Sequence, residues 1–517
     1  MARNKGARAL LIAALVATGC QDLDVVNTNA PDRDRALTSP ADVETLIAST
    51  WRNFWSRWHN GSTTYNTMPL VADIMSGTYA NDAALELSSE PRPALNNNPL
   101  SDAHAVMRAQ WETFYQAISS ANDGLLAIND GLRITTDGSD NTTRAWTFAK
   151  WAQGIGYGYL SLLFDKGLYG TENSELDNPL ELPYLEYTEM RDSAIALLKL
   201  SQDTMQARSF TLPDTWINGV ALTSAELNRL THAYIARFYV YGARTPEERA
   251  ALPWSTILDH LNKAITTDHT VAFQSGVLTS SLLSRMQTSG TFSAWGDYKA
   301  IGPADVSGTY QAWLAKPVNE RERFQITTPD RRITGPTPTS NGAYYRYRAD
   351  NIFRPERGTY HHSHYQWYRN GGRSSSGTYT IVSVDEMNLL KAEAHMHLGD
   401  NARAAELINT TRTRVQRIGS TNYPGLPAVT ADGVPQSADC VPRTATGACG
   451  SLRDALIYER VIENGMLDGL IGYVDARGLG RLPPGTFVHL PIPAREAATL
   501  RIPVYTFGGV GGEGAAK

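Results

Sequence analysis

Residues 383–415 read "SVDEMNLLKAEAHMHLGDNARAAELINTTRTRV", and the spacing within them sets the fold class. Ser383 followed three residues later by Glu386 has the form of a capping box, in which a hydroxyl takes the N–H three residues on and a carboxylate returns to the cap's own N–H. A helical pattern then runs to Gly399-Asp400, breaks, and resumes through Ala405, Ile408 and Val415. Two helical stripes divided by a glycine predict a helix-turn-helix hairpin.

The small residues Ala392, Ala394, Ala404 and Ala405 would let the paired helices approach closely, and the repeat of about 34 residues resembles a tetratricopeptide unit. A second capping box, Thr223 with Glu226, opens "TSAELNRLTHAYIARFYVYGAR", where Leu227, Leu230, Tyr234, Phe238 and Tyr241 recur along one face. That pattern predicts a helix over 223–243 pairing with one over 188–208, and helices over 103–131 and 143–165 pair in the same way. A lone hairpin cannot bury its apolar face, so several must stack. Between the helices lie Gly-, Pro-, Asn- and Ser-rich insertions such as "SSEPRPALNNNPLSD" and "TTPDRRITGPTPTSNG", with no linker to divide the chain. The expectation is a mainly α fold, tetratricopeptide-like hairpins packed against a loop-rich region, in one domain over residues 20–517.

The first residues address location. Arg3, Lys5 and Arg8 precede an apolar run from Ala9 to Ala17, far shorter than the ~20 residues of a membrane span, so residues 1–19 read as a secretion signal. Ala17-Thr18-Gly19-Cys20 resembles the lipobox of bacterial lipoproteins, with Ala17 where leucine is usual. That resemblance implies lipidation of Cys20 and a membrane anchor, each buried methylene contributing about 0.8 kcal/mol. Taking the three signal residues from 47 basic residues leaves 44 against 52 acidic ones, about −8 overall, and excludes a nucleic-acid binder. The two other cysteines, Cys440 and Cys449 in "DCVPRTATGACG", predict a disulfide outside the cytoplasm, worth ~2–3 kcal/mol by loop closure. With no histidine nearby they make a poor zinc site.

Three further segments give the pattern an identity. The late helix carries Glu459-Arg460 with Glu463, Asp475-Ala-Arg477 follows, and Pro491-Ile492-Pro493 precedes Glu496. The early helix "WTFAKWAQGIGYGYLSLLFDKGLYG" ends at a Tyr-Gly. In this order, with the hairpin between them, these segments resemble the SusD/RagB family of outer-membrane nutrient-binding lipoproteins. The usual Gly-x-Arg after the Glu-Arg helix is missing, since no arginine follows until Arg477. The resemblance implies a lipid-anchored protein of the outer membrane, facing outward, that binds a nutrient such as an oligosaccharide and passes it to a SusC-like TonB-dependent transporter. Asp22 and Asp24 suit export to the outer surface. A tetratricopeptide scaffold organising envelope proteins is the alternative from another class, and a surface glycosidase a third. Glu459 and Arg460 are expected to serve structure, as ion pairing that holds the late helix to neighbouring loops, rather than as a catalytic acid and base.

A glycan binder needs aromatic platforms beside polar groups, and the chain has 11 Trp and 24 Tyr. Trp51, Trp55 and Trp58 share one helix face, the spacing that burial predicts. By the regions that hold ligand in the family, two loops are the candidates. "VADIMSGTYAND" offers Asp73, Tyr79, Asn81 and Asp82, and "FSAWGDYKAIG" offers Trp295, Asp297 and Tyr298. His361, His362 and His364 lack an obvious carboxylate partner for a metal, and on a strand His361 would face away from the other two. An aromatic-rich strand containing Tyr365, Trp367 and Tyr368 is the expected reading there. No Gly-x-Ser-x-Gly, His-Glu-x-x-His or Walker pattern marks an enzyme, and no cofactor or metal is expected.

Overall fold

A computed structural model describes residues 36–58, 64–76, 83–136, 138–175, 178–217, 219–274, 295–349, 362–368 and 376–517. Cys20, Tyr79, Asn81, Asp82 and His361 lie outside the described residues.

The N-terminal half is built from α1 (Pro40–Trp58), α2 (Asp102–Asn129), α3 (Thr142–Leu163), α4 (Tyr187–Ala207), α5 (Ser224–Gly242) and α6 (Trp254–Asn262). Helix α2 packs on α3 and α4 on α5, the two predicted pairs, and α3 also lies along α4. Helix α3 is buried on every face, from Thr147 to Leu163. Its "GIGYG" makes this possible, because each glycine admits a different neighbour. A Cβ on Gly154 would stand 2.7 Å from Cγ of Leu198 on α4, one on Gly156 2.7 Å from Cγ1 of Ile118 on α2, and one on Gly158 2.1 Å from the Phe238 ring on α5. Trp51 and Trp55 are buried core residues, with Trp51 5.2 Å from Trp151, whereas the Trp58 side chain is outside the described residues.

The predicted hairpin forms as α7 (Val384–His397) and α8 (Asn401–Arg412), turning at Gly399 with φ of 83°. Two details differ from the expectation. Ser383 Oγ accepts the Glu386 N–H at 3.0 Å, but the Glu386 carboxylate turns inward to take Arg237 at 2.8 and 2.6 Å, so the box is only half made. A bidentate pair inside the protein outweighs a cap bond that water can replace. Helix α8 also ends at Arg412, leaving Val415 exposed. At Thr223 and Glu226, where no buried cation competes, both halves of the box form.

Two chain segments return from far along the sequence to complete the structure. Helix α9 (Leu452–Asn464) packs against α7 and α8, and α10 (Ile471–Gly478) against α5. Leu490 then pairs with the end of α3, its N–H on Leu163 O at 2.7 Å, and the Asn97 side chain holds Ile492 O and the Ala494 N–H. This is the role of the Pro491-Ile492-Pro493 segment. Cys440 and Cys449 are joined in a disulfide, Cα atoms 5.6 Å apart, and Cys440 sits in a small apolar core with Leu389, Ile408 and Leu452. Nearly all other buried apolar residues form one continuous core.

The loop-rich part holds small sheets. Strands β1 (Met75–Ser76), β3 (Trp295–Asp297), β5 (His362–Trp367) and β4 (Tyr345–Tyr347) form an antiparallel sheet in that order, and β2 (His269–Gln274) pairs with β6 (Ser376–Val382). Tyr365 is buried, Trp367 nearly so, and Tyr368 half-buried. No described helix is long and apolar enough to cross a membrane.

Candidate binding cleft

The sequence pointed to the β1–β3 region, and the structure fills that region with interior packing. Trp295 and Tyr298 are buried, at 1% and 0% exposure. Tyr298 stacks on Phe324 at 4.1 Å and receives the Phe324 N–H on its hydroxyl. Asp297 caps the short helix Tyr298–Ile301 by accepting the Lys299 N–H at 2.8 Å, and Ser76 donates to its other oxygen. The mixture of an aromatic with short polar groups beside Gly296, read as a ligand loop, is a strand running into a capped helix. Burial follows because a long-range pairing, Met75 with Gly296, covers it.

Asp73 is the exception in position, though not in freedom. Its backbone is left-handed, φ 50°, which Asp tolerates better than most residues. Its carboxylate is buried between Arg92 at 2.5 Å and Lys299 at 2.7 Å, and Lys299 also holds Glu90. The Asp73–Lys299 pair forms one wall of a cavity of about 350 Å³ that continues past Arg460 and Gly472 to Pro484 and Lys517. A second cavity of about 410 Å³ is lined by Tyr310, Leu314, Arg443, Thr444 and Asp454. The two share Ala300, Ile457, Val461, Leu479 and Arg481, so they form one cleft with an apolar floor and charged ends.

Helix α9 supplies that floor. Its inner face buries Leu456, Tyr458, Glu459, Arg460, Ile462 and Glu463, while Asp454, Ile457 and Val461 remain partly open along the outer stripe. Every charge on the inner face is matched. Arg332 bonds Glu459 at 2.6 and 2.9 Å, Glu463 at 3.0 Å and Asp330 at 2.8 Å. Arg460 forms an ion pair with Asp475 at 2.6 Å and also reaches Glu393, which Arg249 holds at 2.7 Å through both oxygens. Burial alone would raise the Glu393 carboxyl, but Arg249 and Arg460 hold it down at about 2. Glu459 and Arg460 therefore anchor α9 to other segments through two separate ionic clusters, the structural role expected of them. Arg477, standing alone after them, ties three carbonyls together: Leu162, Val488 and Tyr241.

Arg481 is placed by the end of α10. The Gly480 N–H returns to Arg477 O at 3.0 Å and the Arg481 N–H to Ala476 O at 2.7 Å, a Schellman ending that requires Gly480 at φ 68°. The chain leaves the helix sharply, and the Arg481 side chain lines both cavities. It makes no hydrogen bond or ion pair with any described residue. Arg481 is exposed, so water solvates its guanidinium in the open cleft.

Nothing in the sequence singled out Arg481, Arg443, Tyr310, Ile457 or Val461. The available signal was "ARGLGR", a helix ending with an arginine directly after its glycine, and it gives no hint of the cavity. Among the described residues no group of three or more His, Cys, Asp or Glu could hold a metal. The strand reading of 362–367 holds, and His364 Nδ1 lies 3.0 Å from Arg348 O.

This architecture has solved counterparts. A SusD superfamily protein from Bacteroides vulgatus superposes with a TM-score of 0.51 at 14% identity, covering 86% of this chain and 89% of its own. Another from Bacteroides thetaiotaomicron gives 0.50 at 14%, covering 86% and 90%. A SusD-like carbohydrate binding protein from Bacteroides vulgatus gives 0.50 at 16%, covering 84% and 83%. The chain has the SusD fold, mainly α, as its helix order suggested. No protein-family model and no curated protein matches its sequence.

Proposed function

We propose that this protein is a carbohydrate-binding surface lipoprotein. In this reading it captures an oligosaccharide outside the cell and delivers it to a SusC-like TonB-dependent transporter, while lipid on Cys20 holds it to the outer membrane. The observation that carries the reading is the fold likeness over more than four-fifths of both chains, including a relative described as a carbohydrate binding protein. The cleft adds chemical support. Ile457, Val461 and Leu479 offer an apolar floor for the C–H face of a sugar ring, and Thr444, Asp454 and the arginines offer partners for its hydroxyls. Helices α7 and α8 bury their contact faces against α9, so the hairpin serves the interior of this fold.

A glycan array probed with the purified chain tests binding, and affinity purification from native membranes tests partnership. Binding of an oligosaccharide and recovery of a large β-barrel are expected. A blank array together with no co-purifying barrel would sink the proposal.

A further inference from the structure

We propose that the cleft is an acidic-glycan subsite in which Arg481 takes the carboxylate or sulfate of the sugar. This rests on the carbohydrate reading above and narrows its substrate class.

The inference comes from comparing the charges around the cleft with their partners. Asp73 lies between Arg92 and Lys299. Asp475 is held by Arg249 and Arg460. Asp454 accepts both the N–H and the hydroxyl of Ser451, at 2.8 and 2.7 Å, as the N-cap partner of α9. Asp73 and Asp475 are thus each neutralised by two cations, while Asp454 is held by the Ser451 donors alone. The cations are not matched in the same way. Arg481 has no hydrogen-bond or ion-pair partner among the described residues, and Arg443 has only carbonyl partners, Gly447 at 3.0 Å and Ala438 at 2.5 Å. Lys517 lies on the wall of the 350 Å³ cavity that Arg481 also lines.

Arg481 is exposed and presents its guanidinium to the cleft with no partner among the described residues, and covering it with a neutral glycan returns little, because hydroxyls alone replace the water it loses. Against a carboxylate or sulfate it can form two parallel charge-assisted bonds, the strongest kind available to a side chain. The apolar floor of Ile457, Val461 and Leu479 beside it suits the ring that carries the anion. Uronic acids and sulfated sugars share this chemistry.

The test is calorimetric titration of the full chain, solubilised in detergent, with two matched pairs. Oligogalacturonate against its methyl ester examines the carboxylate, and dextran sulfate oligosaccharide against dextran examines the sulfate; a glycan array of neutral, uronate and sulfated sugars accompanies them. The acidic member of one pair is expected to bind at least about tenfold more tightly than its neutral partner, a difference of about 1.4 kcal/mol. R481M should reduce that preference below about threefold, and R481K should recover part of it by restoring charge without the planar fork. Thermal melts identical to the parent chain confirm that R481M folds. Neutral glycans bound as tightly as acidic ones, with R481M unchanged, overturn the acidic-glycan assignment and leave the carbohydrate reading standing. An array with no bound glycan of any class overturns both.

Discussion

The two faces of α9 treat charge in opposite ways. Behind the helix, Glu459, Arg460 and Glu463 join Arg332, Asp330, Glu393, Arg249 and Asp475 in buried clusters that pair each ion. In front, the exposed Arg481 stands over an apolar floor with no partner among the described residues. A buried charge is tolerated only when matched, so the first arrangement is what holding a fold together demands. The second is tolerated because Arg481 is exposed and water solvates its charge.

The comparison can be broken most forcefully from behind. R332M leaves Asp330, Glu459 and Glu463 facing one another without their shared cation, and the expected loss is about 3–5 kcal/mol, the range for removing one partner of a buried pair. Urea denaturation measures it; a loss below 1 kcal/mol would mean the cluster contributes little.

Acid should act next in size. Burial, reinforced by His232 and Lys199, holds His260 at about 4, and burial with Arg237 holds His269 at about 4. The Nδ1 atoms of His232 and His260 are 2.8 Å apart, which requires one to donate and the other to accept. Below the unfolded value of about 6.5 the unfolded chain binds protons that the fold refuses, so stability is present above that pH and falls toward pH 4, each histidine contributing about 1.4 kcal/mol per pH unit. Asp165 opposes this: burial raises its carboxyl to about 6, so below pH 6 the fold gains a proton the unfolded chain lacks. The urea midpoint should therefore decline from pH 6.5 to 5, and more steeply in D165N. A midpoint that rose in that window would contradict the assignment.

A third change tests packing instead of charge. Placing a methyl on Gly158 drives it into the Phe238 ring, and G158A is expected to cost about 1–3 kcal/mol by forcing α3 and α5 apart. A Tm equal to that of the parent chain would show that the ring can move aside. The smallest stability effect belongs to the front of α9. R481M breaks no side-chain bond to any described residue, so it should alter stability by no more than about 0.5 kcal/mol while changing ligand preference. A large loss of stability would place Arg481 among the structural arginines.

What could be read from the sequence divides along the same line. The Thr223 capping box, the 383–415 hairpin and the α2/α3 and α4/α5 pairs are local patterns, and they appear where expected. Glu386 shows how locality fails: its cap bond loses to Arg237, a residue 149 positions away. The four-stranded sheet joins segments from 75–76 to 362–367, and nothing local in "FSAWGDYKAIG" announces that Trp295 and Tyr298 will be covered. The cleft is still less legible. Its walls come from residues 72–74, 299–314, 442–461 and 471–484, and only the folded chain brings Arg481 beside Tyr310.

The disulfide carries a practical consequence. Pro442, Arg443, Thr444 and Ala445, all within the ring closed by Cys440 and Cys449, form one rim of the larger cavity. Protein produced in a reducing cytosol would carry a slackened rim beside the small core that Cys440 shares with Leu389, Ile408 and Leu452, so a failed glycan titration could reflect the host compartment rather than the ligand. Expression with export, or refolding under oxidising conditions, is the preparation in which the cleft can be judged.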